Sequence, residues 1–292
     1  MLYLSQFVFP DADEEFDYLL KKVKMTCYDT YYPFKILSEH GMKALNFEPV
    51  TILYGGNGSG KSTALNVMAE KLNMERDTLY NRSNFFEDYT ALCYYVAERG
   101  LPKESRIIRS DDVFDFMLNL RTLNEGIDRT REDLLEEYRR LTDPRGPRFQ
   151  LHSLEDYDEL KKVTAARRKT TSSYVRDNLG SNIRERSNGE SALLYFTNKI
   201  QENGLYLLDE PENSLSPEKQ LELVKFLEDS VRFFGCQFVI ATHSPFFLAM
   251  RDAKIYDLSG EKAGVKKWTE LANVRTYYEF FKKHESAFEE DD

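Results

Sequence analysis

The sequence predicts an α/β fold: a sheet of largely buried strands with a helical lobe inserted into it. Three observations carry that reading. The apolar run Pro49-Val50-Thr51-Ile52-Leu53-Tyr54 leads directly into Gly55-Gly56-Asn57-Gly58-Ser59-Gly60-Lys61-Ser62, a glycine turn where a buried strand hands over to a helix. Two more apolar runs, over 205–208 and 236–241, show no alternation, which suits strands covered on both faces. Between them and the first run, residues 111–186 become rich in Arg, Glu, Leu and Asp at helical spacing.

Taken in chain order, residues 1–60 read as strands and turns. The opening Met-Leu-Tyr-Leu-Ser-Gln-Phe-Val-Phe-Pro is a strand candidate that runs into Asp11, Asp13, Glu14 and Glu15; it lacks the basic start of a signal peptide. A helix is expected over 61–72. Phe85, Phe86, Tyr89, Leu92, Tyr94, Tyr95 and Val96 fit a buried helix or helix–strand within 80–100. One domain is expected, with a core over about 1–110 and 187–292 and the lobe over about 111–186. In the lobe, Leu118, Leu120, Leu123 and Ile127 share one helix, and Leu134, Leu135, Tyr138 and Leu141 continue the pattern. Asp143-Pro144-Arg145-Gly146-Pro147 breaks it, and further helices follow over 153–178. No heptad pattern persists, which argues against a long coiled-coil arm. Beyond the lobe, Ser216-Pro217 supplies an N-cap and a first-turn proline, and Gly235 ends that helix. A hairpin over 254–267 and one C-terminal helix complete the chain, with Glu289-Glu290-Asp291-Asp292 expected to fray.

The bulk composition narrows the function. With 292 residues and 41% hydrophobic content the chain builds a full core. Its net charge of −10 argues against coating nucleic acid or anionic membrane by charge alone. Cys27, Cys93 and Cys236 are scattered, as reduced thiols of a cytoplasmic protein are. His40, His152, His243 and His284 show no metal-ligand spacing. No apolar stretch approaches the roughly 18 residues needed to span a bilayer.

The glycine turn is a P-loop, and each residue type has a task. Gly56, Gly58 and Gly60 let the backbone curl, so that the amides of Asn57, Ser59 and their neighbours converge on a phosphate. Lys61 reaches the β- and γ-phosphates, Ser62 sits on Mg²⁺, and Thr63 lies one residue into a helix whose positive end faces the same anion. ATP and Mg²⁺ are therefore the expected cofactors. Downstream, Leu205-Tyr206-Leu207-Leu208-Asp209-Glu210-Pro211-Glu212 delivers two adjacent carboxylates to the carboxyl edge of the sheet. Asp209 takes the Walker B role on Mg²⁺, and Glu210 is placed to polarise the attacking water. Arg186-Ser187-Asn188-Gly189-Glu190-Ser191 is both a capping box and a candidate γ-phosphate site; the two readings are compatible.

These motifs together resemble the ABC-type ATPases, and more closely their soluble branch of RecF-like, SMC-like and OLD-type ATPases. The matching pieces are 55–63, Ser187-Asn188-Gly189-Glu190, Leu207-Leu208-Asp209-Glu210-Pro211-Glu212-Asn213-Ser214-Leu215 and Ala241-Thr242-His243-Ser244-Pro245. The resemblance implies a mixed-sheet core with an inserted helical lobe, and a head-to-tail homodimer closed around two nucleotides. It implies that Ser187, Asn188 and Gly189 contact the γ-phosphate held by the other protomer. Asn213, Ser214 and Leu215 then lie at the dimer seam, and His243 is the switch histidine on the γ-phosphate. The Asp-Glu-Pro-Glu-Asn-Ser-Leu form with Thr-His-Ser-Pro looks like a non-transporter subgroup.

The chain departs from that pattern in places. Asn188, Arg186 and Ser216 replace residues common in relatives. No Gln stands at the lobe entrance, where Ile107-Ile108-Arg109-Ser110-Asp111-Asp112 occurs instead; Ser110 or Asp111 is the candidate Mg²⁺ contact there. Tyr28, Tyr31, Tyr32 and Phe34 are open candidates for stacking on adenine, with core packing as the alternative. Between Lys161 and Arg186 lie eight basic residues and two acidic ones. That face suits DNA, in repair or defence, or else neutralises nearby acidic segments. The competing expectations are a clamp for a separate effector protein and, with less support, the ATPase subunit of a membrane transporter.

Overall fold

The computed structural model describes residues 2–22, 30–143, 157–178, 188–260 and 262–288. The chain divides into two compact units, Met1–Phe114 with Asn188–Asp292, and Asp115–Ser187.

The larger unit opens with β1 (Leu4–Val8) and α1 (Ala12–Lys22), followed by α2 (Ile36–Glu39), β2 (Ala44–Asn46) and β3 (Val50–Tyr54). Then come α3 (Lys61–Lys71), α4 (Phe86–Leu92), β4 (Tyr94–Ala97), β5 (Arg106–Arg109) and the start of α5 (Ser110–Thr142). α5 carries the chain into the smaller unit, which holds α6 (Tyr157–Arg168) and α7 (Thr171–Asn178). The chain re-enters the larger unit with α8 (Asn188–Lys199), β6 (Leu205–Asp209), α9 (Pro217–Phe233) and β7 (Gln237–Ala241). It closes with α10 (Pro245–Leu248), β8 (Lys254–Asp257), β9 (Gly264–Lys266) and α11 (Ala272–Lys283).

The main sheet has the order β5-β6-β7-β3-β8-β9. Its first five strands run parallel, and β9 returns antiparallel to β8 as the expected hairpin. Every residue of β3, β6 and β7 is buried, matching their unbroken apolar runs. A second sheet, β2-β1-β4, is antiparallel. Gln237 ties the two sheets together. Its side chain is fully buried; Oε1 accepts from the amides of Tyr3 and Leu4 at 2.8 and 2.9 Å, and Nε2 donates to the Leu4 carbonyl at 2.8 Å. The polar group at the start of an apolar strand thus satisfies backbone that β1 would otherwise leave unpaired.

Two expectations fail. Residues 1–60 are not only strands and turns, because α1 begins at Ala12. Asp11 Oδ1 accepts from the Glu14 amide at 2.9 Å and Glu14 Oε2 accepts from the Asp11 amide at 3.0 Å. Asp-x-x-Glu is thus a capping box, and the acidic run that looks like a strand end starts a helix. Second, Leu92 at the end of α4 and Tyr94, Tyr95 and Val96 of β4 are 37–57% exposed; β4 is an edge strand of the small sheet.

α5, which starts in the larger unit and continues from Asp115 in the smaller one, is one continuous 33-residue helix, about 50 Å long at 1.5 Å per residue. It ends at Thr142, just before the Asp143-Pro144 break. Within the smaller unit Tyr138 and Tyr174 pack with ring centroids 5.5 Å apart, and Tyr138 Oη donates to the Lys169 carbonyl.

Candidate functional site

The site lies at the carboxyl ends of β3, β6 and β7. The loop after β3 turns through Gly58 at φ 82° and Gly60 at φ 87°, angles that L side chains resist. A Cβ on Gly60 would also come 2.9 Å from Leu37 Cδ2, so this glycine lets α2 press on the loop. Gly56, Asn57 and Gly58 form an exposed rim, whereas Ser59, Gly60 and Lys61 are buried. Lys61 Nζ donates to the Gly55 and Gly56 carbonyls at 2.6 and 3.1 Å, arching over the loop. Burial pushes its pKa down, against the pull of Glu210, Asp209 and Glu212.

β6 brings the acidic pair to this loop. Ser62 Oγ donates to Asp209 Oδ1 at 2.9 Å across 147 residues of sequence. Burial pushes the Asp209 pKa up to about 6, opposed first by the Ser62 hydrogen bond. Glu210, at φ 52°, turns sharply off the strand. Its Oε2 accepts from Asn213 Nδ2 at 3.0 Å, and its Oε1 lies 3.7 Å from His243 Nε2. Burial and the nearby Lys61 cation lower the His243 pKa, which keeps the imidazole neutral at pH 7.

Asn188 and Gly189 start α8. A Cβ on Gly189 would stand 3.5 Å from Lys219 Cγ and 4.0 Å from the Ser214 carbonyl, so the α8 tip packs against the loop that follows Glu210. Ser187 lies outside the described residues. Thr63 Oγ1 accepts from Tyr32 Oη at 3.4 Å.

Other candidates separate. Phe34 is core, 3% exposed between Tyr18 and Tyr89, which corrects its candidacy for adenine stacking. Tyr31 packs on Phe85, and Tyr28 lies outside the described residues. Ser110 is the first residue of α5. Asp111 is 63% exposed and paired with Arg109 at 2.9 Å.

Sequence reasoning passed over three residues. Glu212 Oε1 accepts from Thr242 Oγ1 at 2.7 Å and from the amides of His243 and Ser244 at 2.6 and 3.2 Å. It therefore sets the loop that carries the histidine. Asn273 Nδ2 donates to the His243 carbonyl at 2.7 Å from the start of α11. Arg109 stands directly opposite Asp209 in the β5–β6 register. Of these only Glu212 had a signal, its place in the acidic motif; the other two depend on tertiary contact. A cleft of about 670 Å³ opens beside Glu210 and His243, walled by Asn213, Phe246, Trp268 and Tyr277 among others.

The residues present fit a Mg²⁺-bound nucleoside triphosphate. Ser59 Oγ, Arg109 Nε and His243 Nε2 are buried polar atoms without a hydrogen-bond partner among the described residues. Buried polar groups are rarely left so, and Arg109 and His243 stand beside the acidic pair.

A family model described as "ABC transporter" matches residues 44–213, more than half of the chain. The chain belongs to the ABC-type family of P-loop ATPases. A model described as "AAA ATPase domain" also matches this ABC-type chain, over residues 182–248. No curated protein matches it. Among solved structures, a putative metal-chelate type ABC transporter in an inward-facing conformation is 17% identical, covering 81% of this chain and 82% of that one, with a TM-score of 0.38. A dimeric ATP-binding cassette in a post-hydrolysis state with ADP and phosphate is 15% identical, covering 78% and 91%, with a TM-score of 0.37. A nucleotide-free cassette from an ABC transporter is 16% identical, covering 81% and 87%, with a TM-score of 0.38.

Proposed function

We propose that this ABC-type domain binds ATP with Mg²⁺, hydrolyses it to ADP and phosphate, and uses the cycle to close and open a homodimer. The observation that carries the proposal is the convergence of Lys61, Ser62, Asp209, Glu210 and His243 on one rim of the sheet. Ser62 and Asp209 would hold Mg²⁺, which when bound offsets the charge of the phosphates. Lys61 would leave the Gly55 and Gly56 carbonyls for the β- and γ-phosphates. Glu210, held by Asn213, takes the proton of the attacking water. His243, neutral and fixed through its backbone by Glu212 and Asn273, contacts the γ-phosphate. Ser187, Asn188 and Gly189 would cap the nucleotide of the opposite protomer. The packing of the α8 tip on the Ser214 loop supports a joint docking face. Contacts that exist only with the γ-phosphate make ATP the adhesive, and hydrolysis releases it.

Glu210→Gln is expected to bind Mg-ATP, lose turnover and run as a dimer in gel filtration with light scattering. Lys61→Ala loses hydrolysis and binds nucleotide weakly. A Glu210→Gln protein that stays monomeric at saturating Mg-ATP would refute the dimer.

We further propose that the dimer acts outside a transporter, in the cytoplasm, on a separate effector protein or on DNA. The Asp-Glu-Pro-Glu-Asn-Ser-Leu sequence and the absence of Gln before α5 support the first point. Among the described residues no helix is long and apolar enough to cross a membrane. The effector reading has the better support. Lys162 pairs with Glu137 and Lys169 with Asp177, so part of the basic face is neutralised within its own unit. Salt-sensitive stimulation of the ATPase by DNA, lost on charge reversal of Lys161–Lys169, would favour DNA instead.

A further inference from the structure

Resting on the nucleotide reading above, we propose that Arg109 is a resident counter-cation of Asp209 that competes with Mg²⁺ for this carboxylate, so that metal enters the site together with nucleotide. The geometry is specific. Arg109 ends β5 directly opposite Asp209. Its amide donates to Asp112 Oδ2 at 2.7 Å, and Asp112 is itself buried at 3% exposure and bonded to Thr78, which anchors the strand end. The guanidinium is only 18% exposed. One NH₂ group donates to the Leu79 carbonyl at 2.9 Å and the other to Asp111 at 2.9 Å. Those two bonds fix the fork and leave Nε facing Asp209 Oδ2 at 4.0 Å, without a partner among the described residues.

Asp209 therefore divides its oxygens: Oδ1 takes the Ser62 hydroxyl and Oδ2 faces a fixed positive charge. Arg keeps its proton at any working pH and presents donors in a rigid fork, so the cation cannot be removed by titration. A divalent ion arriving alone must displace or sit beside it, and like charges side by side in a partly buried site repel strongly. Among the described residues no cluster of three or more His, Cys, Asp or Glu side chains compensates. Phosphate oxygens do: their negative charge offsets the guanidinium while they complete the metal's shell. Nucleotide-free protein is thereby kept free of metal.

The test compares wild type, Arg109→Gln and Arg109→Lys by titration with a fluorescent ATP analogue, in EDTA and in Mg²⁺. Arg109→Gln should leave the metal-free Kd within about twofold and tighten the Mg²⁺-loaded Kd about tenfold, equivalent to about 1.4 kcal/mol; Arg109→Lys should follow wild type. Tenfold weaker metal-free binding with an unchanged Mg²⁺-loaded Kd would make Arg109 a phosphate ligand and overturn the proposal, as would no change in either. Mn²⁺ titration of nucleotide-free protein, read by electron paramagnetic resonance, gives an independent readout. Arg109→Gln should bind Mn²⁺ more tightly than wild type, and Asp209→Asn in that background should abolish the gain; equal affinity overturns the proposal. If wild type binds no nucleotide under any condition, the ATPase reading fails, and the Mn²⁺ comparison still decides the role of Arg109.

Discussion

Replacing Glu212 by Ala removes the acceptor of three donors at once. Thr242 and Ser244 are buried, at 0% and 5% exposure. The Ser244 amide retains Thr242 Oγ1 at 3.0 Å as a second acceptor, so the groups left without a partner are the His243 amide and the Thr242 hydroxyl. Each hydrogen bond to a charged group contributes about 1.5–3 kcal/mol. Two of them sum to about 3–6 kcal/mol, partly offset because the unpaired Oε2 of Glu212 also disappears. At roughly 2–4 °C per kcal/mol for a domain of this size, Glu212→Ala should melt about 10 °C below wild type. Glu212→Gln keeps a carbonyl acceptor for the same amides and should lose about 1 kcal/mol. Thermal denaturation in EDTA, without nucleotide, measures both. An Ala variant melting within about 2 °C of wild type, or a Gln variant as unstable as Ala, would show that Glu212 does not hold the histidine loop.

The remaining expectations follow from single contacts. Gln237→Leu strips three buried hydrogen bonds from the junction of the two sheets and should cost about 4 kcal/mol; hydrogen exchange at the Leu4 amide should accelerate most, and an unchanged rate would disprove the staple. Gly60→Ala places a Cβ 2.9 Å from Leu37 Cδ2 at φ 87° and should lower both melting temperature and nucleotide affinity; normal affinity for a fluorescent ATP analogue would contradict that. His243 should titrate by NMR with a midpoint below 6.5. Because its folded pKa is depressed, its contribution to stability is present above pH 6.5 and is lost as pH falls through the folded midpoint. Lys61→Met should raise that midpoint, and a wild-type midpoint at or above 6.5 would remove the electrostatic case for a neutral switch.

Local chemistry was legible wherever one short segment contains its own reason. Gly58 and Gly60 have positive φ because the loop demands it. Ser216 caps α9 through the Lys219 amide, and Gly235 ends it. The apolar runs of β3, β6 and β7 are buried on both faces, as their lack of alternation implies. Of the helices missed within 1–60, α1 carried its signal in Asp11 and Glu14, a capping box that reads in sequence as the end of a strand.

What only the tertiary structure decided is which side chains from distant segments meet. Ser62 finds Asp209 across 147 residues because β3, β7 and β6 align in parallel register. Arg109 faces Asp209 because β5 pairs with β6 one strand further out. Gln237 serves β1 from 233 and 234 residues away. Backbone propensity and hydrophobic pattern act over one or two turns and are written in sequence. Register and strand order arise from packing the whole sheet, and no local pattern in this chain encodes them.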